Sequence, residues 1–470
     1  MNLTLGDIAL CLTGNSALGA EADRKVLAVR TDSRAVQQGD VFVCLKGEKH
    51  DAHDYAAQVS GLGAAVIIAD RPLDKVKCPV IVVPDTLIAL GKLGRCWRER
   101  ATATVIAVTG TAGKTTVKEL TAQTLEHILG TADRVAKNHK NFNNQVGLPL
   151  SILAATGAED VWVMEAGISK PNDMAELGAI IAPDIALVLN IGPAHLEGLG
   201  SLEGVARAKA SLLAHVKPGG TGLCCMDYPL LWAAAKAELP GVVGFSALDS
   251  TAKYFARFLR ALEGGRGLFE LVIDGTCVEA ELPACGTHFA ENAAAVAALC
   301  HTLGHSAQDI AKGLSAAGLP DQRFFCCMRG DWCVVDDSYN ANPLSMARSI
   351  EAAKLMAGDK PLVLVLGDMR ELGAGASQAH ENLGALLAKI QPSAVFFQGD
   401  HAADVARGAG SSIAVTPVSA PAQVLAGISA SSLKGGVVLV KGSHSCHMEL
   451  YAQALLCGLS DLKPEGGEKA

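Results

Sequence analysis

One stretch of the chain combines residues that suit phosphate binding. An apolar run, Val105–Val108, leads into a loop and then a helical pattern, and the loop reads Gly110-Thr111-Ala112-Gly113-Lys114-Thr115-Thr116. Glycines let the backbone turn its N–H groups inward, the lysine adds a positive charge, and the helix adds its positive end. Either hydroxyl after the lysine can bind magnesium. A valine stands where a full Walker A motif has its first glycine, so an ordinary turn is the alternative, but the flanking strand and helix favour a phosphate-binding loop.

Two further residues follow apolar runs that we predict to be strands. Glu165 comes directly after Val161–Met164, and His195 lies just beyond a strand that ends at Leu189-Asn190. In an α/β sheet both would emerge at the edge where the phosphate loop lies. A carboxylate and an imidazole there can bind magnesium ions that neutralise a transferring phosphate. The alternatives are a helix cap for Glu165 and an ordinary polar loop residue for His195.

Lys209 occupies an unusual position in the helix predicted over Glu203–Leu213. It lies on the apolar face, four residues after Val205 and three before Leu212. An unpaired ammonium buried there would cost several kcal/mol. Either the side chain reaches out to solvent, or its charge is paired or chemically inverted beside a metal site.

The whole chain limits the classes of protein to consider. Its 470 residues are half apolar, enough for about three domains with substantial cores. The net charge of −8 argues against a nucleic-acid or anionic-membrane surface. We see no secretion signal and no stretch that suits a membrane span, which favours a cytoplasmic protein. The 14 cysteines contain no Cys-x-x-Cys pair and are expected to be reduced, mostly in the core.

The pattern of strands and helices predicts an α/β protein of three domains. Residues 1–100 read as a small N-terminal α/β domain, 101–319 as a central P-loop ATPase domain with a parallel sheet, and 320–470 as a C-terminal Rossmann-like α/β domain. Three strands of the last segment end in polar residues, the usual place for ligands of open sheets. The charged segment 92–104 has a weak apolar period, and we predict a hinge there.

A set of short motifs runs along nearly the whole chain. They are Asp32-Ser33-Arg34, Leu45-Lys46-Gly47, the loop at 110–115, Asn141–Pro149, Glu165-Ala166-Gly167, Ala194–Lys209, Asp336–Pro343, Gly367–Gly373 and Lys441-Gly442-Ser443. This set resembles the Mur ligases of bacterial cell-wall synthesis, most closely the branch that adds D-alanyl-D-alanine to UDP-N-acetylmuramoyl-tripeptide. The chain departs from the family pattern at Ala112 (usually Asn), at His288-Phe289 (usually His-Asn) and at His444 (usually Arg).

The resemblance implies catalytic roles for Lys114, Lys209 and His195. Lys114 and the loop amides would bind the phosphates of ATP, Thr115 and Glu165 one Mg²⁺, and His195 a second Mg²⁺. Lys209 would be carbamylated and thereby become an anion oriented toward metal. The base, phosphate and ribose of the nucleotide would meet Asn292, Arg323 and Asp337.

The resemblance also implies where the other substrates bind. The UDP end would contact Ser33, Arg34, Lys46 and Gly47. Asn143, Asn144, Asn340 and Asn342 would complete the substrate-binding set, the first two along the muramoyl-peptide path. The protein is expected to act as a monomer.

Together with these features, the resemblance implies an ATP-dependent amide ligase that works through an acyl phosphate. Two rivals from the same superfamily are the diamino-acid-adding ligase, whose Asp-Asn-Pro-Arg motif the chain lacks, and folylpolyglutamate synthase. A rival of another class is a nucleotide-dependent switch that uses the P-loop without forming an amide.

Overall fold

Three β-sheets with flanking helices organise the chain. The computed structural model describes residues 3–16, 21–139, 141–194 and 196–459. The sheets contain four, nine and six strands and follow one another along the sequence. The predicted three-domain α/β class is confirmed.

The first sheet is parallel throughout, in the order β1-β2-β3-β4. Its strands are β1 (Val29–Arg30), β2 (Val41–Val43), β3 (Val66–Ala69) and β4 (Val80–Val82). The accompanying helices are α1 (Leu5–Thr13), α2 (Ala56–Gly61) and α3 (Thr86–Arg100). The two central strands are fully buried and rich in Val and Ile, as expected for a parallel sheet covered on both faces.

Helix α3 corrects the expectation of a hinge at 92–104. Asp85 caps its N-terminus, and the helix packs against helices of the central domain. Trp97 Nε1 donates to the carbonyl of Ala155, and Arg98 donates to the carbonyls of Ile181 and Ala182. The hinge prediction is wrong because the charged residues that weaken the apolar period include Arg98, which is buried and hydrogen-bonded.

The second sheet has the order β13-β12-β11-β10-β9-β8-β5-β7-β6. Its strands are β5 (Thr104–Thr109), β6 (Val135–Lys137), β7 (Val161–Glu165), β8 (Ile185–Val188), β9 (Thr221–Cys225), β10 (Val243–Ser246), β11 (Tyr254–Ala261), β12 (Gly267–Ile273) and β13 (Thr276–Leu282). Strands β5 to β11 pair in parallel, and β11, β12 and β13 form an antiparallel extension. The helices of this region are α4 (Lys114–Leu129), α5 (Gly147–Ala154), α6 (Asp173–Ile181), α7 (Leu196–Leu199), α8 (Leu202–Ala210), α9 (Pro229–Glu238), α10 (His288–Thr302) and α11 (Ala307–Ala316).

The third sheet has the order β14-β15-β19-β16-β17-β18, with only the first pair antiparallel. Its strands are β14 (Phe325–Arg329), β15 (Trp332–Asp336), β16 (Leu362–Gly367), β17 (Ala394–Gln398), β18 (Val415–Pro417) and β19 (Gly436–Lys441). Its helices are α12 (Pro343–Ala357), α13 (Ala376–Ile390), α14 (Ala402–Ala409), α15 (Pro421–Ala430) and α16 (Glu449–Gly458). The three strands predicted to end in polar residues, β15, β19 and β16, are neighbours, so their ends meet at one edge.

Two further sequence predictions concern membranes and cysteines. Among the helices of the described ranges, none is long and apolar enough to cross a membrane. All 14 cysteines are free thiols.

Candidate active site

A cavity of about 370 Å³ lies where the central and C-terminal sheets face each other. The phosphate loop from Thr111 to Thr116 lines one wall, and Asp337, Asn340, Asn342 and Lys441 line the opposite wall. Most other predicted site residues also line it, namely Asn143, Asn144, Glu165, Asn292 and Arg323. The carboxyl ends of strands from two sheets therefore meet at one polar cavity, the position where open α/β sheets bind ligands.

The loop needs glycine at two positions. Gly113 caps α4 in the left-handed region, at φ +79°, and a Cβ there would approach Asn292 Oδ1 to 2.8 Å. A Cβ at Gly110 would approach Leu189 Cβ to 2.9 Å. The glycines thus allow the loop to pack tightly while the first turn of α4 points its free N–H groups into the cavity.

Asn190, at the end of β8, holds the first half of the loop. Its Oδ1 accepts hydrogen bonds from the amides of Thr111 at 3.0 Å and Ala112 at 2.9 Å. Its Nδ2 donates to the carbonyl of Ala112 at 3.0 Å and to Glu291 Oε1 at 2.5 Å. These two amides are therefore engaged by protein, which leaves the amides from Gly113 onward for a phosphate. The sequence marked Asn190 as a strand end but gave no sign of this contact.

Lys114 and Lys209 converge on a single backbone oxygen. Their Nζ atoms donate to the carbonyl of Gly110 at 2.8 and 3.0 Å. Lys209 is 1% exposed, so the solvent-reaching alternative is wrong. Burial, and then the charge of Lys114, bring the pKa of Lys209 well below its ordinary value. Burial also lowers the pKa of Lys114, although Glu165 partly compensates.

Glu165 lies at the end of β7 and is 1% exposed. Its Oε2 accepts from Thr115 Oγ1 at 2.9 Å, and its Oε1 accepts from Asn143 Nδ2 at 2.7 Å. Hydroxyl and carboxylate oxygens are hard donors of the type that Mg²⁺ prefers, so Thr115 and Glu165 fit a magnesium ion, with Asn143 orienting the carboxylate. His195, predicted to bind a second ion, lies outside the described residues.

The C-terminal domain contributes Arg323 to the same wall. Its Nη2 lies 3.3 Å from Thr115 Oγ1, and its guanidinium stacks on Tyr339 at 3.8 Å from the ring centroid.

Asp337 Oδ2 accepts from Lys441 Nζ at 2.5 Å and from Ser349 Oγ at 2.6 Å. The sequence placed Lys441 in a motif but did not predict its pairing with Asp337.

Asn292 presents an acceptor without a partner. Its Oδ1 is buried and accepts no hydrogen bond from the residues that the structure describes. Because an unpaired buried polar atom is costly, this oxygen suits a ligand donor such as an exocyclic amine.

A second cavity of about 250 Å³ adjoins the first and shares Asn340, Ala341, Asn342 and Glu371 with it. Its other lining residues are Ala194, Arg370, Ser443, His444 and Ser445. Asn342 caps α12, and its Nδ2 reaches the carbonyl of Thr111 at 3.4 Å. The second cavity is therefore separated from the phosphate loop by the first and adjoins it through these shared residues.

Four predicted substrate residues lie elsewhere, on the N-terminal domain. Ser33 and Arg34 belong to a short 3₁₀ helix, where Arg34 pairs with Asp32. Lys46 and Gly47 form a turn in which the amide of Gly47 donates to the carbonyl of His50. None of these four lines either cavity, so any joint action with the phosphate loop requires a ligand long enough to span the domains.

The fold and the site define a class: three-domain α/β proteins in which a phosphate loop faces a polar C-terminal sheet edge. Three family descriptions match the chain: "Mur ligase family, catalytic domain" over residues 25–98, "Mur ligase middle domain" over 108–300, and "Mur ligase, glutamate ligase domain" over 322–444. The chain belongs to the Mur ligase family, and as a member it is an ATP-dependent ligase that forms ADP.

Individual relatives are similar over nearly their full length. The UDP-N-acetylmuramoyl-tripeptide–D-alanyl-D-alanine ligase of Escherichia coli (strain K12) is 34% identical over 447 residues, which cover 92% of this chain and 94% of that protein. The crystal structure of MurF from Acinetobacter baumannii superposes with a TM-score of 0.86 at 30% identity, covering 97% of this chain and 99% of that one. MurF from Thermotoga maritima in complex with ADP gives 0.83 at 28% identity, covering 92% and 98%.

Proposed function

We propose that this protein joins D-alanyl-D-alanine to UDP-N-acetylmuramoyl-tripeptide in peptidoglycan precursor synthesis, with ATP converted to ADP and phosphate. The names of the relatives above support this substrate pair. The observation that carries the proposal is the pair of adjoining cavities, with the phosphate loop in the first and Arg370 and Glu371 at the second. A ligase must hold phosphate donor, acyl group and amine together, and these cavities offer room for all three.

The first step makes a poor electrophile reactive. A carboxylate oxygen of the tripeptide attacks the γ-phosphorus of ATP, the bond to ADP breaks, and an acyl phosphate forms. Lys114 and Arg323 place positive charge beside the loop, where negative charge develops on the transferring group. When bound by Thr115 and Glu165, with Asn143 close by, Mg²⁺ supplies further charge neutralisation.

The second step forms the amide. The ammonium group of the dipeptide first releases a proton to solvent, and the resulting amine attacks the carbonyl carbon. The C–N bond forms, phosphate leaves with the electron pair of the C–O bond, and the nitrogen releases a second proton to solvent. A dipeptide is zwitterionic, and the second cavity offers Arg370 for its carboxylate and Glu371 for its amine end. His444 lines the same cavity with a shorter side chain than an arginine, so Arg370 is the better carboxylate partner.

The remaining substrate contacts follow from position. Asn292 would receive the base, and Asp337 the ribose, of the nucleotide. Asn143 and Asn144 line the cavity next to Glu165, on the path of the muramoyl peptide. The turns that contain Ser33, Arg34, Lys46 and Gly47 would hold the UDP end, remote from the reacting carboxylate.

We also propose that Lys209 is carbamylated. A neutral amine attacks CO₂, a C–N bond forms and one proton is released. Because both Nζ atoms lie within hydrogen-bond distance of the Gly110 carbonyl oxygen, two ammonium groups there would repel each other, which supports a neutral Lys209. Carbamylation would replace the repulsion between Lys209 and Lys114 by attraction.

Product analysis tests the ligase function. With ATP, Mg²⁺ and both substrates, we expect equimolar ADP, phosphate and a new peptide bond, detected by mass spectrometry. Omission of D-alanyl-D-alanine, or its replacement by a diamino acid or glutamate, is expected to abolish the product. ATP hydrolysis that is independent of both substrates would instead support a nucleotide switch. Because ATP and UDP-linked precursors are cytoplasmic metabolites, we place the reaction in the cytoplasm.

A further inference from the structure

A buried ion pair joins the central and C-terminal domains beside the phosphate loop. Glu291 lies on α10 and is 3% exposed, and Arg348 lies on α12 of the C-terminal domain. Arg348 Nη2 donates to Glu291 Oε2 at 2.7 Å, and Nη1 reaches Oε1 at 3.3 Å. Tyr228 also donates to Oε2 at 2.7 Å and itself contacts Arg348. The carboxylate is therefore neutralised by a group from the other domain.

The same carboxylate reaches the phosphate loop through one residue. Glu291 Oε1 accepts from Asn190 Nδ2, which fixes the orientation of the Asn190 amide. In that orientation Asn190 Oδ1 faces the amides of Thr111 and Ala112 and accepts from both. A continuous chain of hydrogen bonds thus leads from Arg348 to the loop.

We propose that Glu291 and Arg348 are positioning residues that couple docking of the C-terminal domain to the shape of the phosphate loop, and thereby to nucleotide affinity. With Arg348 in place, Glu291 holds Asn190, and Asn190 holds the loop open for a phosphate. When the C-terminal domain withdraws, the carboxylate loses its counter-charge, so Glu291 and Asn190 must rearrange. Coupling of this kind is reciprocal: nucleotide also stabilises the docked domain.

Nucleotide binding to variants of the full-length chain tests this coupling. The dissociation constant of Mg²⁺-ADP is measured by calorimetry without peptide substrates, followed by the KM for ATP and kcat with both substrates saturating. For Arg348→Met we expect binding weakened about tenfold, a parallel rise in the KM for ATP, and kcat within about threefold of wild type. Glu291→Gln keeps an oxygen that can accept from Asn190, so we expect its ADP affinity to fall by about threefold or less.

The double variant supplies the distinguishing result. Once Glu291→Gln has removed the buried charge, adding Arg348→Met is expected to weaken ADP binding less than about twofold further. Arg98→Met is the matched control, because Arg98 also pairs with a carboxylate, that of Asp184, which lies beside the start of β5 rather than at the loop that follows its end. It is expected to lower the thermal midpoint and leave ADP affinity unchanged. If Arg348→Met does not fold, Arg348→Lys is expected to show a smaller loss in the same direction.

Two results would overturn the coupling. One is an unchanged ADP affinity in a folded Arg348→Met protein. The other is a double variant whose loss of ADP affinity equals the product of the losses in the two single variants. The inference rests on the proposed nucleotide site but not on the identity of the other substrates. Normal ADP binding by the wild-type chain, with no amide product, would refute the proposed function and leave the coupling open to the same test.

Discussion

Two lysine side chains donate to one carbonyl oxygen, that of Gly110, and this contact governs the charge of the site. Two ammonium groups that share one hydrogen-bond acceptor lie close enough to repel each other. Burial, and then the charge of Lys114, lower the pKa of Lys209 and so favour its neutral amine. A charged Lys114 would then face the phosphates, and a neutral Lys209 would suit the carbamylation proposed above. The two lysines are thus expected to have different functions.

For Lys209→Ala, we expect a loss of about 100-fold or more in turnover with partial recovery on addition of short carboxylic acids, which can replace a carbamate. In wild-type protein supplied with ¹³C-bicarbonate, a carbamate carbon signal is expected in the NMR spectrum. Lys209→Met, which has no amine, is the control and should lack the signal. Full activity in Lys209→Ala, or no signal from wild type, would exclude carbamylation as a requirement.

For Lys114→Ala, we expect turnover to fall by about 100-fold or more, because the charge beside the transferring phosphate is removed. The far-UV circular dichroism spectrum should match wild type. Lys137→Ala is the control: Lys137 pairs with Glu119 away from the cavity, and its loss should leave turnover unchanged. Retention of wild-type turnover by Lys114→Ala would contradict the role assigned to the loop.

His288 gives the protein a pH dependence that can be measured. Burial, and then the charges of Arg348 and Lys441, lower its pKa to about 3. The unfolded chain binds this proton near pH 6.5. Stability from the neutral imidazole is therefore complete above pH 6.5 and is lost as the pH falls toward 3.

For His288→Phe, we expect the thermal midpoint to fall less steeply than wild type between pH 6.5 and 4. His447→Phe is the control, because the side chain of His447 is 65% exposed. Equal slopes for His288→Phe and wild type would show that the imidazole of His288 is protonated in the folded protein.

At the scale of elements, the turn from β5 to α4 depends on a left-handed glycine that has no room for a side chain. Gly130 provides a natural comparison at the other end of α4. Its φ is +77° and no atom lies within 4 Å of the position that a Cβ would occupy, whereas a Cβ at Gly113, at +79°, would meet Asn292 and Leu189. The two positions share the conformational cost of a non-glycine residue and differ in steric crowding.

We therefore expect Gly130→Ala to cost about 1 kcal/mol of stability while ADP affinity is retained. Gly113→Ala should carry the same cost and also displace Asn292 or the loop, so ADP affinity should fall about tenfold or more. Calorimetric titration with ADP separates the two effects. Equal ADP affinity in both variants would mean that the loop tolerates a side chain at Gly113.

The sequence predicts the elements that carry strong local signals and misses those set by tertiary contacts. The β5–loop–α4 unit and the strands β15, β16 and β19 were predictable because apolar runs end abruptly in glycines or polar residues. Helix α3 was not predictable, because an arginine in a sequence indicates a surface position, whereas Arg98 is buried. Glu291 and Arg348 were missed for the same reason: each looks solvated until its partner, 57 residues away, is placed.

At the scale of the whole molecule, the two outer domains are attached differently to the central one. Helix α3 carries apolar side chains of the N-terminal domain into the core of the central domain, where Trp97 and Arg98 also hydrogen-bond. The C-terminal domain also shares an apolar core with the central domain, where Phe324 packs against Phe289, and in addition it meets the phosphate loop through polar contacts, Arg323 to Thr115 and Asn342 to Thr111. Because the C-terminal domain places polar groups directly against the phosphate loop, it is the part expected to move when a nucleotide binds there.

The direct contact between the C-terminal domain and the phosphate loop predicts how ligands change the shape of the protein. We expect the ligand-free chain to have a larger radius of gyration in small-angle scattering than the profile calculated from this structure. A non-hydrolysable ATP analogue with UDP-N-acetylmuramoyl-tripeptide should restore agreement, because closure brings the cavity walls together and excludes water that would hydrolyse an acyl phosphate. Arg348→Met, which weakens docking, should require more nucleotide for the same change. Superimposable profiles with and without ligands would rule out closure and would mean that the cavity is preformed for all three substrates.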